Sequence, residues 1–191
     1  QNLNSNLENP RITFCGNGNL RKNPISVAQA FSLLAEKHEK LRLTFAGNVK
    51  CIESEIRGVI APQHQSRLEF KGLLTPEKVA DLLNSTTVFC LPSEHESFGM
   101  AWVEAMACGV PVVAGAGSCA EEVITKDAGF IIDPHNPRQI AEVIGALLSN
   151  SELRSRVGSL GQKVVSDRYS AEVVAVRVLD WYISLLDRKK N

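Results

Sequence analysis

Residues 92–115 read PSEHESFGMAWVEAMACGVPVVAG. They follow an almost wholly apolar run at 87–91, which predicts a buried strand. A helix is expected from about 98 to 108, with Gly109 as its cap, and a second strand at 110–114. A strand, a helix and another strand in this order predict a βαβ unit, in which a crossover helix joins two parallel strands.

The same alternation continues on both sides of this unit. Further strands are predicted at 11–15, 41–46, 68–70 and 129–132, and further helices at 24–40, 52–60, 75–83, 137–148, 151–167 and 172–186. Because the strands are apolar on both faces, the sheet should be parallel and covered on both sides. We therefore predict an α/β protein, a Rossmann-like three-layer sandwich with a central parallel sheet. Residues 1–10 are expected to form a polar tail or linker remnant, and residues 11–191 one domain.

The bulk composition excludes several other classes of protein. Lysine and arginine total 21 and balance 21 aspartates and glutamates, so no net charge favours nucleic acid as a partner. No apolar run approaches the roughly 20 residues that span a bilayer. Five scattered cysteines without a C-x-x-C pair indicate free thiols in a reducing compartment, and we expect a cytoplasmic protein. The four histidines lack metal-ligand spacing, so no metal site is predicted.

Two carboxylates flank the start of the helix expected at 98–108. Glu96 lies in the preceding loop and Glu104 on the second turn, which is roughly 8 Å along the helix axis from the first turn. The free N–H groups of the helix N-terminus would form an anion site between them, and Gly99 would let a phosphate approach the backbone closely. A ligand with hydroxyls at both ends and a diphosphate between them fits this layout. A nucleotide-sugar is such a ligand.

The residues around these carboxylates make the pattern specific, since a Glu-x7-Glu pair alone carries little information. P-S-x-x-E-x-F-G, followed by E-A-x-A-x-G-x-P-V-V, strongly resembles the C-terminal domain of the retaining glycosyltransferases of family 4, also called glycosyl transferases group 1. The resemblance covers roughly residues 11–170. It implies the C-terminal half of a GT-B fold, which binds the donor.

The resemblance implies roles for residues in and beside the 92–115 segment. Glu96 matches the glutamate that contacts hydroxyls of the transferred sugar, and it is our candidate catalytic residue. Glu104 matches the glutamate that holds the ribose hydroxyls. Three residues match the backbone amides near the sugar and the diphosphate: Phe98, Gly99 and Met100. We expect Glu96 to affect sugar transfer and to change nucleotide affinity little.

The loop after the first strand is where the resemblance places the phosphate-binding lysine. Lys22, six residues after Gly16, matches that lysine. The family often has arginine directly after this glycine, whereas Asn17 stands here, and Arg21 could supply the missing charge. The nucleotide base is expected beside the loop after the third strand, near Gly72 and Leu73.

The implied activity is transfer of a hexosyl group from a nucleoside diphosphate sugar, by family expectation a UDP-sugar, to an acceptor hydroxyl with retention of configuration. No cofactor or metal is required, and bacterial surface polysaccharide or lipopolysaccharide synthesis is the expected setting. The acceptor would bind through an N-terminal domain that these 191 residues do not include. This domain alone should therefore bind donor and turn over little, and peripheral membrane contact is expected only of the full-length protein. A nucleotide-sugar 2-epimerase and a non-catalytic nucleotide-sugar-binding module are the alternatives.

Overall fold

The structure, a computed structural model, describes residues 8–188. Six parallel strands form one sheet in the order β3-β2-β1-β4-β5-β6. Their bounds are Arg11–Cys15 (β1), Arg42–Ala46 (β2), Leu68–Gly72 (β3), Val88–Leu91 (β4), Val112–Gly115 (β5) and Phe130–Ile132 (β6). The α/β fold class and the parallel sheet are thus confirmed. Most of the predicted tail, residues 1–7, lies outside the described residues.

The described part of the chain contains eight α-helices, five of them between successive strands and three after the last strand. They are Pro24–Ala35 (α1), Glu53–Gly58 (α2), Pro76–Asn84 (α3), Met100–Ala107 (α4), Ala120–Val123 (α5), Pro137–Ser149 (α6), Ser151–Arg168 (α7) and Ala171–Arg188 (α8). From β1 the chain steps towards one sheet edge, and from β4 it steps towards the other. Because parallel crossovers are right-handed, α1 and α4 cover opposite faces. Helix α6 packs beside α1, and α7 beside α4.

The core is built where the central strands meet these helices. β4 and β5 are buried at every position, as expected for strands covered on both faces. Trp102 on α4 is fully buried, and its indole N–H donates a 3.1 Å hydrogen bond to the carbonyl of Leu91 at the end of β4. This bond ties the start of α4 to the strand before it and so fixes the loop between them.

Several element boundaries differ from the predicted ones. Helix α1 ends at Ala35 instead of Lys40, because the Arg67 guanidinium donates to the carbonyls of Ala35, His38 and Glu39 at 2.8–3.0 Å and holds the chain in a turn. Helix α4 begins two residues later than predicted, because Gly99 adopts a left-handed conformation with φ +78°. Strand β5 starts two residues later, at Val112.

No helix within residues 8–188 has the length and apolarity that a membrane crossing needs.

Candidate functional site

The sheet order creates a crevice between the first and fourth strands. β1 pairs with β2 on one side and with β4 on the other, so the connections leave β1 and β4 in opposite directions. In open parallel sheets, ligands bind at such a switch point, at the carboxyl ends of the strands. Two loops border it here, residues 16–23 after β1 and residues 92–99 after β4.

A lysine and a glutamate face each other across this crevice. The Lys22 ammonium lies 2.7 Å from Oε1 of Glu96, and the side chains are 25% and 16% exposed. Lys22 ends a 3-10 turn at Leu20–Lys22. The Ser93 hydroxyl donates a 3.1 Å hydrogen bond to the same Glu96 oxygen. The carboxylate is therefore held by one cation and one hydroxyl, and the two residues predicted from separate motifs are in direct contact.

Glu104 lies on the second turn of α4, beside the end of β1. Burial raises the pKa of the Cys15 thiol, the last residue of β1, to about 12, and the negative charge of Glu104 adds to the increase. The charge of Glu104 also contributes, after burial, to the raised pKa of Cys108. The residue is exposed overall, yet partial loss of solvent around its own carboxyl raises the pKa of Glu104 above the usual range. A carboxylate that is short of solvent gains from ligand hydroxyl donors.

The N-terminus of α4 opens towards the same edge of the sheet. Gly99, the residue directly before the helix, has no side chain that could cap this end. Phe98 and Met100 are exposed, and the Phe98 ring makes an edge-to-face contact with Tyr169 at 5.4 Å between centroids. The Trp102 N–H already donates to the carbonyl of Gly99 at 2.9 Å, so the N–H groups of Met100 and Ala101 are the ones that an anion could use.

The structure explains why residue 99 is glycine, in a way that the sequence did not predict. A Cβ atom there would lie 2.1 Å from the Trp102 ring, and the positive φ already disfavours other residues. The conformation and the packing on Trp102 are sufficient to require glycine. The expectation that Gly99 is needed for close approach of a phosphate gains no separate support.

Gly72 and Leu73 line a neighbouring pocket at the carboxyl ends of β2 and β3. Its volume is about 430 Å³, and Gly47, Lys50 and Glu53 also line it. Leu73 is 83% exposed, so its side chain is available to a ligand. The base was expected near Gly72 and Leu73, and the loop after β2, residues 47–50, lines the same pocket.

A second pocket, of about 490 Å³, includes Gly129 and Phe130 at the amino end of β6. It therefore opens at the amino ends of the strands, away from the switch point at their carboxyl ends. Between residues 8 and 188, no group of three or more histidine, cysteine, aspartate or glutamate side chains is arranged to hold a metal ion. The five cysteines are free thiols.

The comparison with known families agrees with this geometry. The family model described as "Glycosyl transferases group 1" matches residues 1–164. The chain belongs to this family. A D-inositol 3-phosphate glycosyltransferase from Xylanimonas cellulosilytica is 32% identical over 188 residues, which is 96% of this chain and 44% of that protein.

Two further proteins are similar to this chain over most of its length. A GDP-mannose-dependent monoacylated alpha-(1-6)-phosphatidylinositol monomannoside mannosyltransferase from Corynebacterium glutamicum is 26% identical over 83% of this chain and 43% of its own length. The structure of Anabaena Alr3699/HepE, in complex with UDP and glucose, superposes with a TM-score of 0.82 at 20% identity, over 93% of this chain and 49% of that one. The chain spans about half the length of these three proteins, and its fold is that of the GT-B glycosyltransferases.

Within this group 1 domain, the structure brings some of the predicted residues together and leaves others apart. Lys22 and Glu96 form a pair, and Gly16 packs against Lys22, since a Cβ at Gly16 would lie 2.9 Å from the lysine side chain. The side chain of Arg21 is exposed, while its backbone carbonyl accepts a 2.9 Å hydrogen bond from the Glu94 N–H. Sequence reasoning missed Asn23, which bonds to the loop after β4, although an asparagine directly before Pro24 is a typical loop-to-helix signal.

Proposed function

We propose that this chain is the donor-binding half of a retaining glycosyltransferase that takes its sugar from a nucleoside diphosphate sugar, preferentially a UDP-sugar. The observation that carries the proposal is the Lys22–Glu96 pair across the switch-point crevice, beside the uncapped N-terminus of α4. One cation and one set of free N–H groups suit a diphosphate, and a carboxylate beside them suits sugar hydroxyls. Membership of the group 1 family and the UDP bound to Alr3699/HepE support this choice.

The proposed chemistry assigns each group one task. The bond between the anomeric carbon and the diphosphate oxygen breaks, and its electron pair leaves with the diphosphate. Lys22 and the first turn of α4 stabilise the negative charge that develops there, with no metal required. Glu96 orients the sugar and stabilises its developing positive charge. The acceptor hydroxyl forms the new bond on the face from which the diphosphate left, and its proton passes to the departing diphosphate oxygen.

Glu104 and the pocket after β2 and β3 would hold the nucleoside. The Glu104 carboxylate would accept hydrogen bonds from the ribose hydroxyls, as acidic residues do in dinucleotide-binding folds. The base would enter the 430 Å³ pocket beside Gly72 and Leu73. The pocket, Glu104, Lys22 and Glu96 would thus bind, in this order, the base, the ribose, the diphosphate and the sugar of a nucleotide-sugar.

The acceptor would bind through the part of the full-length enzyme that this chain does not cover. The chain matches 44% of the inositol-phosphate glycosyltransferase, so a second half is available in proteins of this kind. We propose a cytoplasmic hexosyltransferase in the synthesis of surface polysaccharide or lipopolysaccharide. Contact with the membrane would be peripheral and confined to the full-length protein.

Calorimetric titration of the chain tests the donor site. UMP, UDP, UDP-glucose, GDP and GDP-mannose are titrated in parallel, because one relative of this chain is a GDP-mannose-dependent enzyme. UDP should bind at least about tenfold more tightly than UMP, a difference of about 1.4 kcal/mol for the second phosphate. Lys22→Met should remove most of that difference. Equal affinities for UMP and UDP would exclude a diphosphate site here. Tighter binding of GDP than of UDP would indicate a GDP-sugar as the donor instead of a UDP-sugar.

A further inference from the structure

One buried amide joins the two loops that carry Lys22 and Glu96. Asn23 is only 9% exposed, and its Nδ2 donates to the carbonyl of Pro92 at 2.9 Å and to Oε1 of Glu94 at 3.2 Å. The loops are joined a second time by the Glu94 N–H, which donates to the carbonyl of Arg21. These contacts lie one residue from Lys22 and two residues from Glu96.

The backbone of Asn23 is unusual for the residue before a helix. Such N-cap residues normally have extended backbone, and their side chains bond to the first turn. Asn23 instead has φ 51° and ψ 46°, and its side chain makes no capping bond to α1. The left-handed conformation is unfavourable for residues other than glycine, and asparagine is among the most tolerant of them. The side chain that would cap α1 is directed to the other loop.

Glu94 is held from a second side. Nε2 of His135, in the loop between β6 and α6, lies 3.1 Å from the Glu94 oxygen that also accepts from Asn23. The loop after β4 thus contacts both the loop after β1 and the loop after β6. Because Glu96 lies two residues after Glu94, these contacts bear on the position of Glu96.

We propose that Asn23 is a positioning residue for donor binding, which sets Lys22 and Glu96 opposite each other by bonding the loop after β1 to the loop after β4. The proposal rests on the proposed function, since it assigns those two residues to the donor. Asn23 itself touches neither the diphosphate nor the sugar. Its effect passes through the distance between the lysine and the carboxylate.

Two substitutions separate the amide from the backbone conformation. Asn23→Gly keeps the left-handed backbone at low cost and removes the amide. Asn23→Asp keeps the size and places a carboxylate beside the Pro92 carbonyl and the Glu94 carboxylate. If only the backbone matters, both variants should bind UDP as the unmodified chain does. If the amide matters, UDP affinity should fall about threefold to tenfold in Asn23→Gly, and further in Asn23→Asp.

A double-mutant cycle measures the positioning directly. Lys22→Met, Glu96→Gln and their combination are made with Asn23 present and in the Asn23→Gly background, and the unfolding equilibrium of each is measured in urea. With Asn23 present, the two changes should be non-additive by about threefold to fivefold in the unfolding constant, as expected of a contacting ion pair. In the Asn23→Gly background, the non-additivity should disappear. A residue that merely stabilises the fold would lower all four stabilities and leave the non-additivity unchanged.

The outcomes distinguish the two proposals. If the chain binds UDP but the Lys22–Glu96 non-additivity survives Asn23→Gly, Asn23 is not a positioning residue and the proposed function stands. If the chain binds none of the five nucleotides, the proposed function fails, and the role of Asn23 in donor binding fails with it. Loss of both the non-additivity and UDP affinity, with a cooperative unfolding transition retained, supports the positioning role.

Discussion

Replacing Glu96 with glutamine should increase the affinity of the chain for UDP, although the residue lies in the binding crevice. The Lys22 ammonium is already paired with Glu96 at 2.7 Å, so a diphosphate must compete with this carboxylate for the lysine. Glutamine keeps the size of the side chain and can still accept the hydrogen bond from Ser93, but it removes the competing charge. The ion pair therefore modifies the expectation, drawn from the sequence, that changes at Glu96 leave nucleotide affinity almost unaltered.

The size of the effect follows from the distance and the exposure of the pair. Two unit charges at this distance attract each other by about 6 kcal/mol at an effective dielectric constant of 20. Lys22 and Glu96 are 25% and 16% exposed, and pairs that remain in contact with water contribute only about 1 kcal/mol net. Loss of that competition corresponds to an affinity for UDP about fivefold higher.

Calorimetry at about 0.15 M salt, where distant surface charges are largely screened, measures this change. Glu122→Gln is the matched control, because Glu122 is exposed and its charge, like that of Glu96, raises the pKa of the Cys119 thiol after burial does, so the change removes a nearby charge outside the contacts of Asn23. UDP should bind more tightly to Glu96→Gln than to Glu122→Gln. An unchanged or weaker affinity in Glu96→Gln, or an equal gain in both variants, would refute competition for Lys22.

Four further results are expected. In the full-length enzyme, Glu96→Ala should lower kcat/KM for transfer about 100-fold, a loss of about 2.7 kcal/mol, and a change below threefold would remove Glu96 from the reaction. Glu104→Gln should weaken UDP binding by about 1–2 kcal/mol and binding of the 2′,3′-dideoxy nucleotide much less, whereas equal losses in calorimetry would indicate a structural role. Desolvation raises the pKa of Glu104, so on acidification this carboxylate takes up its proton at a higher pH than an ordinary glutamate does, and UDP affinity should begin to fall there. Titrations across pH should show no such step in Glu104→Gln. Gly99→Ala should lower the free energy of unfolding by about 2–4 kcal/mol, because the new Cβ would meet the Trp102 ring. Gly72→Ala should lower it by only about 1 kcal/mol, because Gly72 has a similar positive φ but open space around the new Cβ. Equal losses of stability in urea unfolding would contradict the packing argument.

The fold could be predicted because its signals are local. The apolar run of β4 and the glycine and proline residues between elements are enough to indicate alternating strands and helices. The boundaries depended on contacts distant in sequence. Nothing between residues 24 and 40 predicts that α1 ends at Ala35, because the guanidinium that holds the following turn belongs to Arg67.

The membership of the site was predictable, but its internal contacts were not. Lys22 and Glu96 were each assigned from a motif, and neither motif contains the other residue. Their pairing requires β1 and β4 to be neighbours, which is a property of the strand order. Asn23 was missed for the same reason, since its partners Pro92 and Glu94 are about 70 residues away in sequence.

On the proposed function, the pair gives donor binding an order of events. Before the donor arrives, Glu96 is occupied by Lys22 and Ser93. A diphosphate that draws the Lys22 ammonium towards itself leaves the Glu96 carboxylate with one hydrogen bond from Ser93 and with unused acceptor capacity. Sugar hydroxyls are the donors that can then use this capacity. The contact between Lys22 and Glu96 is then replaced by two others, one from Lys22 to the diphosphate and one from the sugar hydroxyls to Glu96. This exchange costs less than leaving the ammonium and the carboxylate unpaired, so the diphosphate and the sugar should each improve the binding of the other.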